Sequence, residues 1–561
     1  MPYYITQLVK SLFVLSSSFA ANNKSTNREN LTTKNKYLIN QSSYKPAYTY
    51  GLFALLAFVL LFRLGATPVY ILDEAKNAQC AREMMESNNR IVPTFNGELR
   101  TDKPPLHYFF MIASYKVFGA TEFAARFFSV IMGLLTVLFT FLYTKRLYNT
   151  FTAFCSALVL VASTHFLFEF RLSVPDPYLI CLITLGLFSA FTWLQEKNVK
   201  QLYIAAAALG LAILAKGPVA LALPGLCLLI WIVINKKWKT VFTWHLIPAA
   251  LLLCLIAVPW YYMVDKATSG AWTKGFFIDN NLNRFSDPQE GHGGFFLVTL
   301  LFVVAGLLPF MSFTGEVIKQ RKRVFEHPLT KFGAIVTITF VAFFSISSTK
   351  LPNYPMPCYP FAAVVLGTFI AKLLNKEIAS KKYPWYILLV FTMALPTGAY
   401  FAIKAEPEAA TLANWLPLFL LIAPILMLGA TLLYKYDWPR KIELIVIAFT
   451  ALNIAGLACA YPELYKQNPV TKTIDIVKAA PNIYAYDIFN PGYRFYLDKN
   501  IPRAFDKVTI QHWLDSTGNA IIITRTDYLD SLKGLPLREI ARHHDIFELP
   551  TTVILKHEAK P

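Results

Sequence analysis

Charge is scarce in this chain, and cysteine scarcer still. Of 561 residues only 16% are Asp, Glu, Lys or Arg, while 55% are hydrophobic, with Phe and Tyr abundant. Many apolar runs reach the roughly 18 residues that can cross a bilayer core as a helix. The fold class expected is an α-helical polytopic membrane protein. There are seven cysteines, Cys80, Cys155, Cys181, Cys227, Cys254, Cys358 and Cys459, with no C-x-x-C spacing. An odd number lying mostly inside apolar runs excludes a disulfide framework and a cysteine zinc site, and reads as small core residues. Acidic residues are also few, 34 against 53 basic, for a net charge of +19.

That charge has a topological source. About thirteen spans are expected, near 47–64, 122–145, 152–170, 176–195, 201–215, 217–235, 243–263, 294–314, 331–348, 355–374, 384–403, 415–434 and 441–460. With the N-terminus inside, the inner loops hold Lys145 and Arg146, Lys197 and Lys200, "NKKWK", "KQRKR", "KEIASKK" and "YKYDWPRK". Every one is basic, as the positive-inside rule requires. No nucleic-acid partner is needed to explain the charge. Residues 1–46 read as a cytoplasmic tail, preferred over a cleaved signal peptide at "SSFAA".

The same parity puts outside a long loop, 65–121, the turn around Ser173–Asp176, the loop 264–293 and everything after about residue 461. Within the first loop, Leu106–Phe118 reads as lying on or dipping into the membrane. The domain expected over 461–561 is a small α/β unit, with helices at Val470–Ala480 and Phe505–Ser516 and strands at "NIYAYDI", "AIIITRT" and "TTVILKH". It has no glycine-rich phosphate loop and no metal-ligand spacing. The His pair in "RHHD" (Arg542–Asp545) reads as solvated surface.

Basic residues on the outer side run against the topological trend. They include Lys76, Arg82, Lys103, Arg171, Lys216, Arg284 and Lys350. The bland reading is snorkelling to headgroups. It explains less well three lysines each followed closely by proline, in "KPP", "KGP" and "KLP". Proline holds the backbone still, and rigid cations at an interface suit a lipid phosphate. The acids Asp73, Glu74, Asp102 and Asp176 lie in the same loops. If the loops converge, a carboxylate can serve as general base while cations hold a phosphate leaving group. The bland reading of Asp73 is the N-cap of a helix with Glu74 in its first turn.

The stretch "DEAKNAQCAREMMESNNRIVPTFNGELRTDKPPLHYFFMIASYKVFGATEFAARFFSVIMG" resembles the first outer loop and second span of the bacterial aminoarabinose transferase family. These are glycosyltransferases of the GT-C class, related more distantly to protein O-mannosyltransferases. Asp73, Glu74, Val92, Pro93, Asn96, Gly97, Lys103, Pro104, Pro105, Leu106, Glu122 and Arg126 fill the pattern. "SVPDPYL", "LAKGPVALALPG", "FFIDNNLNRF", "GHGGFF", "GLLPF" and "STKLPNYPMPCYPFAAVVLG" follow in order.

The resemblance implies a GT-C transmembrane domain over 47–460. It further implies transfer of a sugar from polyprenyl phosphate to a lipid A-type acceptor, by inversion, on the outer face of the bacterial inner membrane, with the C-terminal domain in the periplasm. It makes Asp73 the leading catalytic carboxylate, with Asp176 second and Glu74 beside it. Lys103, Lys76 (where the family more often has Arg) and Tyr354 would contact the donor phosphate, with Lys350, Lys216 and Arg284 as further cations. Asp102 and His292 match positions where the family can hold a structural metal ion such as zinc. Gly291 stands where a second His is usual, and one His with one carboxylate makes a poor zinc site.

A transporter reading is disfavoured by the few ionisable residues in the span interiors and the lack of an inverted repeat. A non-catalytic scaffold does not explain the acid–lysine cluster. Within the transferases, a protein or another envelope glycan remains an alternative acceptor.

Overall fold

All thirteen apolar runs fold as helices. The computed structural model describes residues 41, 44–282, 295–433 and 438–558, so the tail to residue 40, Arg284 and His292 lie outside the described residues. Among the described residues, eight helices are long and apolar enough to cross a membrane, and four shorter apolar ones, Pro46–Leu61, Thr150–Ala162, Val219–Ile234 and Leu416–Leu432, occupy other expected spans. One expectation needs correction. The run at 294–314 is not a straight span but a pair, Val298–Gly306 and Phe310–Lys319, bent by 111°. The break falls at Pro309, whose ring and missing N–H cannot continue a helix.

The half that positions the site runs α1 (Pro46–Leu61), α2 (Leu72–Glu86), β1 (Thr94–Phe95), β2 (Glu98–Leu99), α3 (Leu106–Phe118), α4 (Glu122–Leu147), α5 (Thr150–Ala162), α6 (Thr164–Glu169), α7 (Asp176–Glu196) and α8 (Val199–Lys216). Local chemistry sets the boundaries. Thr121 caps α4 through the Ala124 N–H, with Glu122 in its first turn and Lys145 and Arg146 in its last. Asn149 and Asn198 cap α5 and α8. α8 stops at Gly217, whose φ is +82° and where a Cβ would meet the Phe276 ring at 2.6 Å. The ends expected inside do meet: Arg146 at the end of α4 pairs with Glu196 at the end of α7.

The long loop before α4 is built on α2 and the β1–β2 hairpin. Asn96 and Gly97 both have positive φ, 57° and 80°, as a two-residue turn of the mirror-image type demands. Glu83 on α2 accepts from Thr94 Oγ1 (2.9 Å), Asn96 N (2.8 Å) and Gly97 N (3.2 Å), which holds the hairpin against the helix. α3 packs between α2 and α4.

The C-terminal sheet has the order β4-β3-β5-β7-β6, from β3 (Asn482–Tyr486), β4 (Arg503–Ala504), β5 (Ala520–Arg525), β6 (Leu537–His544) and β7 (Thr551–His557). β3 pairs parallel with β4 and β5, whereas β7 pairs antiparallel with β5 and β6. β6 carries no clean apolar alternation because a register shift between Glu539 and Ala541 interrupts it. The "RHHD" reading is also corrected. His543 and His544 do not form open surface: they meet Glu408 and Glu406, each at 3.0 Å, from the loop after helix Tyr383–Ala405. Lys472 joins Glu408 at 2.7 Å. Burial pushes the Glu408 carboxyl up, but Lys472, the His544 N–H and His543 outweigh it and hold it below its ordinary value.

The sheet unit docks on the first loop at named points. Arg494 reaches Glu83 at 3.3 Å, Arg503 reaches Glu98 at 3.0 Å, and Tyr496 donates to Glu122 at 2.9 Å. At the hairpin tip Asn96 exchanges two hydrogen bonds with the Ile501 backbone, at 2.8 and 2.9 Å. Asn96→Ala removes both and places alanine at positive φ, so it should cost about 1–3 kcal/mol. Thermal unfolding in detergent checks this, and an unchanged midpoint would show that the tip contact contributes nothing.

Candidate active site

α2 begins at Leu72 with Ile71 as N-cap, so Asp73 is not the cap that the sequence suggested. It lies in the first turn, beside Glu74. Consecutive helical residues are about 100° apart, and these two carboxylates part company. The Asp73 side chain is 57% exposed and its Oδ2 lies 3.9 Å from Lys103 Nζ. Glu74 is 1% exposed. Its two oxygens take Arg126 Nε and Nη2, each at 2.8 Å, and Oε1 also accepts from Ser173 N at 2.9 Å. The expectation of Glu74 as a catalytic carboxylate is therefore corrected: its oxygens are committed to a buried fork and face away from the open side of the turn. Glu74 is a strut.

That strut places the site. Arg126 donates further to the carbonyls of Thr67 (2.7 Å), Leu64 (3.2 Å) and Pro68 (3.3 Å), tying the loop before α2 onto α4. Ser173 belongs to the turn that opens α7, three residues before Asp176. One ion pair thus fixes the start of α2 against the turn that carries Asp176. Arg171, in the same turn, has a structural role: its Nη1 donates to the carbonyls of Val59 (2.8 Å) and Leu60 (2.9 Å), closing the end of α1.

Asp176 is buried and hydrogen-bonded by Lys216 from the last turn of α8. The Lys216 ammonium also sits 4.9 Å from the Tyr354 ring centre, so Asp176, Lys216 and Tyr354 form one group. Glu169, at the end of α6, is 3% exposed, and the charges of Asp176, Lys216 and Glu74 act on its carboxyl. The sequence reading missed it because a lone acid in "FEF" has no spacing to mark it. Lys350 does not join the cluster: it is 9% exposed and donates to the Ser347 carbonyl at 2.7 Å, near the end of helix Pro328–Ile346. That bond closes the helix end, while Lys350 stands apart from the Asp176–Lys216–Tyr354 group.

Lys103, only 11% exposed along its side chain, lies 3.9 Å from Asp73 and follows Asp102 in the chain. Asp102 is engaged at 3.1 Å by Arg100 Nε. Burial pushes the Asp102 carboxyl up, but Arg100, Lys103 and Lys76 outweigh it and hold it below the usual carboxylate range. Arg100, Lys103 and Lys76 thus supply the positive charge felt at Asp102, while His292, the other expected metal ligand, lies outside the described residues. Among the described residues no group of three or more His, Cys, Asp or Glu could hold a metal ion. Arg100 carried no signal in the sequence, since "ELRTD" looks like any polar loop.

Residues 102–262 match the family model described as dolichyl-phosphate-mannose-protein mannosyltransferase. The chain is 26% identical over 436 residues to undecaprenyl phosphate-alpha-4-amino-4-deoxy-L-arabinose arabinosyl transferase 2 of Proteus mirabilis, covering 75% of this chain and 73% of that one. It is 29% identical over 351 residues to the corresponding transferase of Enterobacter sp. strain 638, covering 60% of this chain and 62% of that one. In fold it resembles ArnT from Cupriavidus metallidurans, solved bound to undecaprenyl phosphate, with TM-score 0.76, 19% identity, and coverage of 92% of this chain and 99% of that one. The resemblance read from the first outer loop is borne out. The chain is similar in sequence to aminoarabinose transferases, and its multi-pass helical fold is the GT-C fold of the solved ArnT.

Proposed function

We propose that the chain transfers aminoarabinose, or a related pentose or hexose, from undecaprenyl phosphate to a lipid A-type acceptor. The reaction takes place at the periplasmic face of the inner membrane, where the C-terminal domain also lies. The observation that carries this reading is the Asp73–Lys103 pair at the outer end of the helices: a carboxylate half open to solvent beside a cation in a rigid proline-flanked loop.

In the transfer, the bond from the anomeric carbon to the phosphate oxygen breaks as the acceptor oxygen bonds that carbon from the opposite side. The electron pair of the broken bond stays on the polyprenyl phosphate. Lys103 and Lys76 hold that phosphate and stabilise its charge. For a hydroxyl acceptor, Asp73 takes the proton as the new bond forms. For a phosphate acceptor no strong base is needed, and Asp73 stabilises positive charge on the sugar. Asp176 is the second candidate carboxylate, hydrogen-bonded by Lys216, whose ammonium lies over the Tyr354 ring. The match to a protein mannosyltransferase model supports one other acceptor, a protein hydroxyl.

The test is mass analysis of lipid A from cells with and without the gene, alongside transfer from undecaprenyl-phosphate aminoarabinose in membranes. Addition of the sugar to lipid A only in the presence of the gene is expected; unchanged lipid A would sink the acceptor assignment. In the same assay Lys103→Ala should raise the donor KM about tenfold, the loss of one charge-assisted phosphate contact. An unchanged donor dependence would reduce Lys103 to a snorkelling residue.

A further inference from the structure

Arg100 stands out among the charged side chains outside the family pattern. It is 5% exposed, and its Nη1 and Nη2 are buried without hydrogen-bond partners among the described residues. Leaving donors of a buried cation unmatched is costly, so packing alone gives no reason for it. Its backbone is pinned on both sides: Arg100 N donates to the Pro93 carbonyl at 2.9 Å, and its own carbonyl accepts from Trp272 Nε1 at 2.9 Å. The guanidinium lies 6.0 Å from the Tyr108 ring centre and sends Nε to Asp102. It is a rigidly placed, dry positive charge directly behind the Lys103 loop.

We propose that Arg100 is the resident cation of the donor site: it occupies the Asp102 carboxylate in place of a divalent ion and so leaves Lys103 and Lys76 to bind the lipid phosphate. The inference rests on the reading of this site as one for a lipid phosphate. The charge balance carries it. Without Arg100, Asp102 and Asp73 would neutralise Lys103 and Lys76, and Asp102 would be open to a metal ion. With Arg100, three cations face two carboxylates, and one positive charge is left for an anion. Arg100 and Lys103, with side chains 4% and 11% exposed, are screened less than surface charges would be. Arg100 also compensates for Lys76, a point charge where the family more often has a fork-shaped guanidinium. It is a positioning residue, acting through Asp102 rather than by touching the reacting atoms.

The test uses the full-length protein in nanodiscs. Binding of undecaprenyl phosphate, and of undecaprenol as the phosphate-free control, is followed by native mass spectrometry together with zinc content. The wild type should bind undecaprenyl phosphate without bound zinc, and chelation should leave the affinity unchanged. Arg100→Ala should weaken undecaprenyl phosphate binding about tenfold and leave undecaprenol binding unaltered, as loss of a charge near the phosphate requires. Arg100→Lys, which keeps the charge and perturbs the fold less, should recover most of the affinity. The proposal is overturned if Arg100→Ala or, should that variant not fold, Arg100→Gln binds undecaprenyl phosphate as tightly as wild type. It is equally overturned if the wild type carries stoichiometric zinc whose removal weakens binding. A wild type that binds undecaprenyl phosphate but transfers no aminoarabinose sinks the proposed function, while the binding data still decide Arg100.

Discussion

Asp73→Asn lowers transfer by about 10²–10⁴-fold, the usual contribution of a positioned acid–base group. The protein should still reach the membrane at wild-type level. Asp73 is more than half exposed, and its charge partner Lys103 lies at 3.9 Å, the long end of an ion pair. Exposed pairs contribute at most about 1 kcal/mol to stability, so the loss should be confined to chemistry. The measurement is single-turnover transfer from undecaprenyl-phosphate aminoarabinose in membranes, normalised to the amount of folded protein. A hydroxyl acceptor makes Asp73 the proton acceptor and should give the upper part of the range; a phosphate acceptor should give the lower part. Wild-type rates in this variant would remove Asp73 from the mechanism altogether.

Arg126→Ala, by contrast, attacks the scaffold. Glu74 and Arg126 are 1% and 2% exposed and meet through two hydrogen bonds. Removing one partner leaves the other as an uncompensated buried charge, a loss of about 3–5 kcal/mol. Thermal unfolding in detergent should show a large drop for Arg126→Ala and a similar one for Glu74→Ala. The double variant Glu74→Leu/Arg126→Met separates stability from positioning. Replacing a buried pair with apolar residues of similar size is often close to neutral for stability, so much of the folding loss should return. Activity should not, because the Ser173 N–H loses its acceptor and the turn before Asp176 is no longer tied to the start of α2. A double variant with full activity would show that the strut matters only for folding.

How much was legible beforehand differs by element. The thirteen apolar runs were plain because each crossing needs its own stretch of hydrophobic side chains. The break at Pro309 was written in "GLLPF", but the size of the bend was not. The Asp73-to-Lys103 spacing carried the family resemblance. Glu74 was misjudged because adjacent acids look alike in sequence, and only the helix phase separates the one facing Arg126 from the one facing Lys103. Lys350 was not told apart from the cluster because a lysine before a proline looks the same whether it meets a ligand or the end of its own helix. Arg100 and Glu169 were missed because no periodicity or motif marks an isolated buried charge. The docking of the C-terminal sheet through Glu83–Arg494 and Asn96–Ile501 joins residues about four hundred positions apart, for which one sequence holds no signal.

The sequence by itself determined the fold class, the apolar runs that become helices and the family resemblance, because hydropathy and motif spacing are local along the chain. Only the tertiary structure decided which carboxylate is open and which is a strut, and which cations gather at Asp102. It also decided that the His pair closes an interface. Those outcomes depend on which long-range partners satisfy each buried charge, and that is settled only when α2, α4 and the turn before α7 pack together.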